Sequence, residues 1–343
     1  MAPKTVVKVP AEGTKERFDQ DLRNLAAKAK ESSWDRRLLR QMTAITKSLT
    51  VIGFLAIFAN ASQRALSPTY GSIPASIWHG RLLALGCFIG WAGNLFFRRY
   101  FDTLTLIPVV ALCTPMLQVL IETQSDLLGS AIGPLVTEAV TLLPVAVLSA
   151  ASLADLFDDI AVPSSLRSSI PSFIADATPG IGSWSLFAGL RMLSGSWLQA
   201  NAGKGLMYTR VGTELLLGAL YAILAPSKYL LLTVPALLHT ATLNTHVATS
   251  LATASLNQTL LSQNWMLLDR EESVTGYVSV LQNLEAGYRV MRCDHSLLGG
   301  EWVEDRGDRI AEPVYGVFAM LEAVRLIETE KRILDKDAKA LVM

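Results

Sequence analysis

The sequence is poor in charged residues and has no net charge. Only 17% of its 343 residues are charged, and thirty Lys and Arg residues balance thirty Asp and Glu residues. A chain without net charge gives no overall electrostatic signal for nucleic acid or for an acidic substrate. We therefore predict that it has no nucleic-acid partner.

Cysteine is also scarce. Cys87, Cys113 and Cys293 lie far apart, and two of them fall inside apolar segments. This spacing excludes a disulfide framework and a CxxC metal site, so we predict no metal. The N-terminus lacks the short basic start and early apolar core of a cleaved signal peptide. We expect the first hydrophobic segment to remain in the mature protein.

Hydrophobic residues, in contrast, are abundant. They make up 51% of the sequence, and the mean hydropathy is +0.35, values that are typical of multi-pass membrane proteins. The composition predicts a mainly α fold, a polytopic transmembrane helical bundle over residues 48–246. The predicted spans number six, or seven if 177–198 also crosses; the six are 48–63, 82–97, 103–121, 127–154, 215–225 and 229–246.

The basic residues favour one orientation in the membrane. Residues 1–47 contain eleven Lys or Arg and six Asp or Glu, and Arg98 and Arg99 close the second apolar stretch. Because cytoplasmic segments are enriched in Lys and Arg, we expect 1–47 to be a basic cytoplasmic tail or helix. The sequence thus predicts an integral, multi-pass protein whose N-terminus is cytoplasmic and whose partner is the lipid bilayer.

Glu138 is the one charged residue inside the stretch 127–154. Intramembrane carboxylates often mark transport paths, and the segment 160–210 is broken by several Pro and Gly residues. One alternative function is therefore a transporter or channel-like protein that uses the helical bundle. The other interpretation of Glu138 is a buried side chain with a packing role only.

The pattern changes after residue 246. Residues 247–268 are uncharged and polar, which indicates a linker, and a soluble pattern begins at 269. Two β-branched runs on either side of 283–287 predict a β-hairpin. Residues 312–328 follow with helical spacing, and the short apolar run 339–343 predicts the start of a buried strand.

The segments ESVTGYVSVLQNLEAGYRVMRCDHSLLGGEW, EPVYGVFAMLEAVRLIE and DKDAKALVM resemble the N-terminal part of a spermidine/spermine synthase (aminopropyltransferase) domain. The similarity is closer to the fungal membrane-fused members, because upstream segments such as LTVIGFLAIFANASQ and PSKYLLLTVPALLHT resemble their membrane part. The resemblance implies that 269–343 is the incomplete beginning of a spermidine-synthase-like α/β domain.

The resemblance also implies roles for particular residues. Tyr277, Asp294 and Tyr315 match substrate-binding positions. The family's glycine-rich loop and catalytic aspartate would lie beyond Met343, so the resemblance implies neither a catalytic residue nor a cofactor in this chain. Full-length relatives would use decarboxylated S-adenosylmethionine or a related nucleoside.

The function expected from the resemblance is a truncated polyamine-synthase-like membrane protein without activity of its own. Whether the chain is an enzyme is left open at this point. A further alternative is a non-catalytic partner of full-length relatives. Such a partner would form homo- or hetero-oligomers through 269–343, where exposed strand edges are expected.

Overall fold

A computed structural model describes residues 12–158, 160, 172–247, 249–294 and 296–304. The predicted helix at 312–328, the predicted strand at 339–343 and Tyr315 lie outside the described residues. The described helices are α1 (Glu12–Tyr70), α2 (Ser72–Ala92), α3 (Asn94–Tyr100), α4 (Thr103–Glu122), α5 (Ser125–Val140), α6 (Leu142–Asp158), α7 (Ser172–Asn201), α8 (Arg210–Leu224), α9 (Val234–Thr242) and α10 (Ser250–Leu261).

The second half of α1 forms the centre of the helical core. Its apolar residues recur with the helical period, so that one face is buried against α2, α6, α7 and α8. The helix ends at Tyr70, and the next residue, Gly71, has a φ of 90°, which lies in a region that favours glycine. The large buried side chains of this core include Ile52, Leu55, Phe58, Leu83, Ile107, Leu142, Leu217 and Tyr221.

Glycine allows two pairs of helices to approach each other closely. At Gly86 of α2 an added Cβ would lie 2.9 Å from the Cβ of Ala146 in α6, and at Gly90 it would overlap the carbonyl of Val147. At Gly218 of α8 it would lie 2.6 Å from Leu112 in α4. Small residues at such crossings bring the helix backbones into van der Waals contact.

The polypeptide after α10 forms a four-stranded antiparallel sheet in the order β1-β2-β3-β4. The strands are β1 (Trp265–Glu272), β2 (Tyr277–Asn283), β3 (Tyr288–Cys293) and β4 (Ser296–Trp302). In the turn between β2 and β3, Asn283 Oδ1 accepts hydrogen bonds from the backbone N–H groups of Glu285 and Ala286. Gly287 completes this turn with a φ of 72°.

The predicted fold class is wrong. The hairpin expected from 273–294 is only the central pair of a four-stranded sheet, because β1 pairs with β2 and β4 pairs with β3. The described sheet is wholly antiparallel and gives no support for the start of a parallel α/β domain. Helix α10 occupies much of the segment expected to be a linker.

The expected transmembrane bundle is likewise not established by the structure. Among the described residues, four helical segments have the length and the apolar composition needed to cross a membrane. They are Arg36–Tyr70, Ser72–Ala92, Thr103–Glu122 and Ser125–Asp158. They are candidates for membrane spans.

Candidate functional site

The candidate site lies where the sheet meets the helices, and we call it the junction cluster. It consists of Arg64, Glu122, Arg210, His246, Arg270, Glu272 and Tyr277. These residues come from α1, α4, the start of α8, the segment before α10, and strands β1 and β2. All of them are titratable and several are buried, so the cluster is a polar contact between the helices and the sheet.

Glu272 is the centre of the junction cluster. It is the last residue of β1, and its side chain is only 2% exposed. The backbone N–H of Arg210 donates to both carboxylate oxygens, at 3.0 Å each. Arg210 is the first residue of α8, so a carboxylate from the sheet caps a helix of the bundle and complements its positive end.

Two arginine side chains compensate the charge of Glu272. Arg210 Nε lies 3.4 Å and Arg64 Nη2 lies 3.6 Å from Glu272 Oε1. Burial raises the pKa of Glu272 above its usual value, and the charges of Arg210 and Arg64 partly oppose this shift. Without the two guanidinium groups this carboxylate would be still harder to ionise.

Tyr277, a predicted substrate-binding residue, is placed inside the same cluster. Its ring lies 4.9 Å from the guanidinium carbon of Arg210 and 5.3 Å from that of Arg270, which are cation–π distances. Its hydroxyl donates to the carbonyl of His246 at 3.1 Å. Burial, reinforced by the charge of Glu272, raises the pKa of Tyr277, so the phenol stays protonated and acts as a donor.

Asp294, the second predicted substrate-binding residue, is adjacent to Tyr277. Its Oδ1 accepts a hydrogen bond from the backbone N–H of Tyr277 at 2.7 Å, and its own N–H donates to the carbonyl of Tyr277 at 3.0 Å. An added Cβ at Gly276 would overlap the Asp294 carboxylate. The structure thus brings together two of the residues predicted from the sequence, and they close the end of the β2–β3 pair. Their role in substrate binding remains a prediction.

His246 connects the cluster to α4. Its Nε2 lies 3.4 Å from Glu122 Oε2, and its backbone N–H donates to Asn244 Oδ1. Asn244 in turn donates to the carbonyl of Pro115. The cavity between these side chains and Tyr277 has a volume of about 10 Å³, which suits a single water molecule and not a substrate.

Glu138, the intramembrane candidate, lies elsewhere in the helical core. Its side chain is fully buried, and Oε1 lies 2.5 Å from Nδ1 of His79 in α2, whose side chain is 1% exposed. A buried carboxylate requires such a partner. The structure therefore gives Glu138 a described partner that the sequence analysis did not identify.

Sequence analysis missed four residues that anchor these two sites: Arg64, His79, Arg210 and Glu272. Three of them lie beside or within apolar runs, which was the only available signal, whereas Glu272 ends the charged run 269–272. Their partners lie more than fifty positions away in the sequence, so the pairing could not be inferred from spacing. Among the residues that the structure describes, no group of three or more His, Cys, Asp or Glu side chains could hold a metal ion.

One curated protein is similar to most of the chain. It is described as an N-terminal histidine N-methyltransferase of Emericella nidulans, and it is 36% identical to this chain over 304 residues. The match covers 85% of this chain but 54% of that protein, so the chain spans about half the length of the curated relative it matches. No protein-family model matches the chain, and no solved structure matches it.

This similarity corrects the predictions that relied on the spermidine/spermine synthase resemblance. The relative is described as a methyltransferase, so the predicted family and the polyamine-related function are wrong. The alternatives of a transporter and of a non-catalytic partner of polyamine synthases fail on the same ground. The expectation of a chain without a cofactor relied on the same resemblance and is overturned with it, because the relative is described as a methyltransferase. The chain is thus similar, over most of its length, to a protein described as a histidine N-methyltransferase.

Proposed function

We propose that this chain is part of an enzyme that transfers a methyl group to a nitrogen of an N-terminal histidine in a polypeptide. The observation that carries the proposal is the 36% identity over 304 residues. A match of this length extends over the helices as well as the sheet. The similarity therefore supports a shared function of the two parts together and not of the sheet alone.

The methyl donor that we propose is S-adenosylmethionine. This molecule combines a nucleoside, a sulfonium and an amino acid, and a site for it needs several polar partners around a cavity of substantial size. The cavity in the junction cluster, at about 10 Å³, is far too small. The cavity of about 310 Å³ between α1, α2, α6 and α7 is lined almost entirely by apolar side chains. These cavities do not fit the donor, and no step of the reaction is assigned to the residues that line them.

The role that we propose for the junction cluster is to hold the sheet against the helices. Glu272 caps α8 and pairs with Arg210 and Arg64, while the ring of Tyr277 makes cation–π contacts with two guanidinium groups. Such a largely buried set of polar contacts favours one arrangement of the two parts, because other arrangements leave buried charges unpaired. The junction residues are thus proposed as positioning residues.

A methylation assay tests the proposed activity. The purified protein is incubated with methyl-deuterated S-adenosylmethionine and a peptide that begins with histidine, and the peptide is analysed by mass spectrometry. We expect one labelled methyl group on the first residue. Two control peptides, one with an acetylated N-terminus and one with histidine at the second position, should remain unmodified. Labelling of the second control at the same rate would contradict selectivity for an N-terminal histidine.

We also propose that the helical part is embedded in a membrane with the N-terminus on the cytoplasmic side. Four candidate spans and many exposed large apolar side chains support this location, for example Leu127 at 84% and Leu231 at 76% exposure. Arg98 pairs with Asp155 and Asp158, so the ends of α3 and α6 lie on the same side. Resistance to carbonate extraction would support the location, and complete release of the protein would contradict it.

A further inference from the structure

We propose that a groove along α7 binds one phospholipid with an anionic head group. An apolar cavity between α1, α2, α6 and α7 would hold an acyl chain, and Arg191 would hold the phosphate. We call the two ends of this groove the apolar end and the Arg191 end. The proposal goes beyond the proposed methyl transfer and does not depend on it.

The apolar end has the size and chemistry of a site for a hydrocarbon chain. Its volume is about 310 Å³, at the lower limit of the roughly 300–1,000 Å³ usual for small-molecule sites. Its walls include Ile52, Leu55, Trp91, Leu153 and Phe187. An empty cavity with such walls is unfavourable, because the lining atoms lose dispersion contacts that an apolar occupant restores.

The apolar end is open towards the outer face of the helices. Phe88 and Trp184 belong to its lining and are 69% and 44% exposed, and the neighbouring Ile181 is 65% exposed. The mouth of the cavity is therefore itself apolar. A hydrocarbon chain can enter sideways from a bilayer, whereas a polar solute in water meets an unfavourable surface.

The Arg191 end continues the same groove. A second cavity of about 410 Å³ shares Trp184 and Phe187 with the first, and its other lining residues include Arg191, Ser196 and Gln199. From Gly180 to Gln199 the groove follows twenty residues of α7, and the nineteen steps between them correspond to about 28 Å at 1.5 Å per residue. This length accommodates a head group together with much of an acyl chain, since one leaflet contributes roughly 15 Å of hydrocarbon.

The charge of Arg191 defines the head group. Within the described part of the chain, no ion pair or side-chain hydrogen bond engages its guanidinium. Glu138 is the acidic residue whose charge acts on Arg191, but its carboxylate is hydrogen-bonded to His79. Asn60 helps to fix the backbone at this point, because its Nδ2 donates to the carbonyl of Arg191 at 2.7 Å. A half-buried guanidinium without an anion is suited to bind a phosphate.

A lipid-exchange experiment tests the proposal. The full chain is purified in detergent, stripped of lipid, and titrated with phosphatidylglycerol or phosphatidylcholine of identical acyl chains, while native mass spectrometry counts the bound molecules. We expect one bound phosphatidylglycerol per chain, with an affinity at least about tenfold higher than that for phosphatidylcholine. Both lipids offer a phosphate to Arg191, but the choline cation of phosphatidylcholine repels the guanidinium and offsets the attraction of the phosphate. Oleate, an anion with a single chain, should bind more weakly than phosphatidylglycerol.

Three variants separate the two ends of the groove. Arg191→Gln should abolish the preference for phosphatidylglycerol, while Arg191→Lys should keep it. Ser183→Phe, which fills the apolar end, should weaken both phospholipids, and circular dichroism of each variant checks its fold. Equal affinities of the unmodified chain for the two phospholipids, or an unchanged preference in Arg191→Gln, would overturn the proposal. Binding of oleate as tight as that of phosphatidylglycerol would overturn the choice of a phospholipid.

Discussion

Replacement of Arg210 by methionine should detach the sheet from the helices. Methionine keeps most of the length of the side chain but removes the guanidinium group. The variant loses the ion pair with Glu272 at 3.4 Å and the cation–π contact with Tyr277 at 4.9 Å. It keeps the backbone N–H that donates to Glu272, so the cap of α8 is preserved.

The expected cost of Arg210→Met follows from the burial of the pair. Both side chains are 2% exposed, and removal of one partner of a buried ion pair costs about 3–5 kcal/mol. Arg64 remains 3.6 Å from Glu272 and compensates part of the charge. We therefore expect a loss near the lower limit, about 3 kcal/mol in the free energy of opening the junction.

The effect should depend on pH in a defined direction. Because burial raises the pKa of Glu272, its contribution to stability is present below its unfolded-chain value of 4.5 and is lost as the pH rises through the folded-state pKa. Among the opposing influences on this pKa, the charge of Arg210 is the largest, so Arg210→Met raises it further. The difference in stability between the original chain and the variant should be smallest below about pH 4.5 and should widen towards neutral pH.

Hydrogen exchange of the amides in β1 and β2 measures this opening directly. A loss of about 3 kcal/mol corresponds to exchange that is roughly a hundredfold faster at neutral pH. Arg289→Met is the matched control, because Arg289 pairs with Glu301 at 3.5 Å on the same sheet but the two side chains are 41% and 56% exposed. This control should lose at most about 1 kcal/mol. Equal exchange rates in the two variants would refute the argument that burial makes the Arg210 pair important.

Two further substitutions test the packing and the cluster. Gly90→Ala should lower the stability of the helical part by about 1–3 kcal/mol in thermal unfolding, because the added Cβ would overlap the carbonyl of Val147. The control Gly80→Ala should be neutral or slightly stabilising, because nothing lies within 4 Å of the added Cβ. A similar loss of stability in both variants would argue against the close helix crossing. Tyr277→Phe removes the hydrogen bond to the carbonyl of His246 and should lower the free energy of opening, measured by hydrogen exchange of the β2 amides, by about 0.5–1.5 kcal/mol. An unchanged exchange rate would show that this hydrogen bond contributes nothing to stability.

Local secondary structure was easier to predict from the sequence than the tertiary contacts between elements. The runs around 283–287 and the apolar stretches appear as strands and helices because their periodicity is a local property of the chain. Strand β1 was missed because Trp265–Glu272 lacks a regular alternation of apolar and polar residues: three partly buried side chains are followed by charged ones. Its assignment depends on pairing with β2, which is a tertiary contact.

The candidate site shows the same division. Tyr277 and Asp294 were selected by resemblance, and the structure places them in contact. Arg210, which contacts the ring of Tyr277, comes from a helix that is distant in the sequence, so no spacing rule could have found it. The resemblance to polyamine synthases was wrong because it relied on short segments of the sequence, whereas the similarity to the curated relative extends over 304 residues.

The most direct test of the proposed function is the methylation state of N-terminal histidines in cells. The region of the gene that encodes this chain is disrupted in its own organism, and the N-terminal peptides of all proteins that begin with histidine are analysed by mass spectrometry. Our account predicts that methylated N-terminal histidine disappears on disruption and returns when the gene is restored. Unchanged methylation of these histidines in the disrupted strain would contradict the proposal.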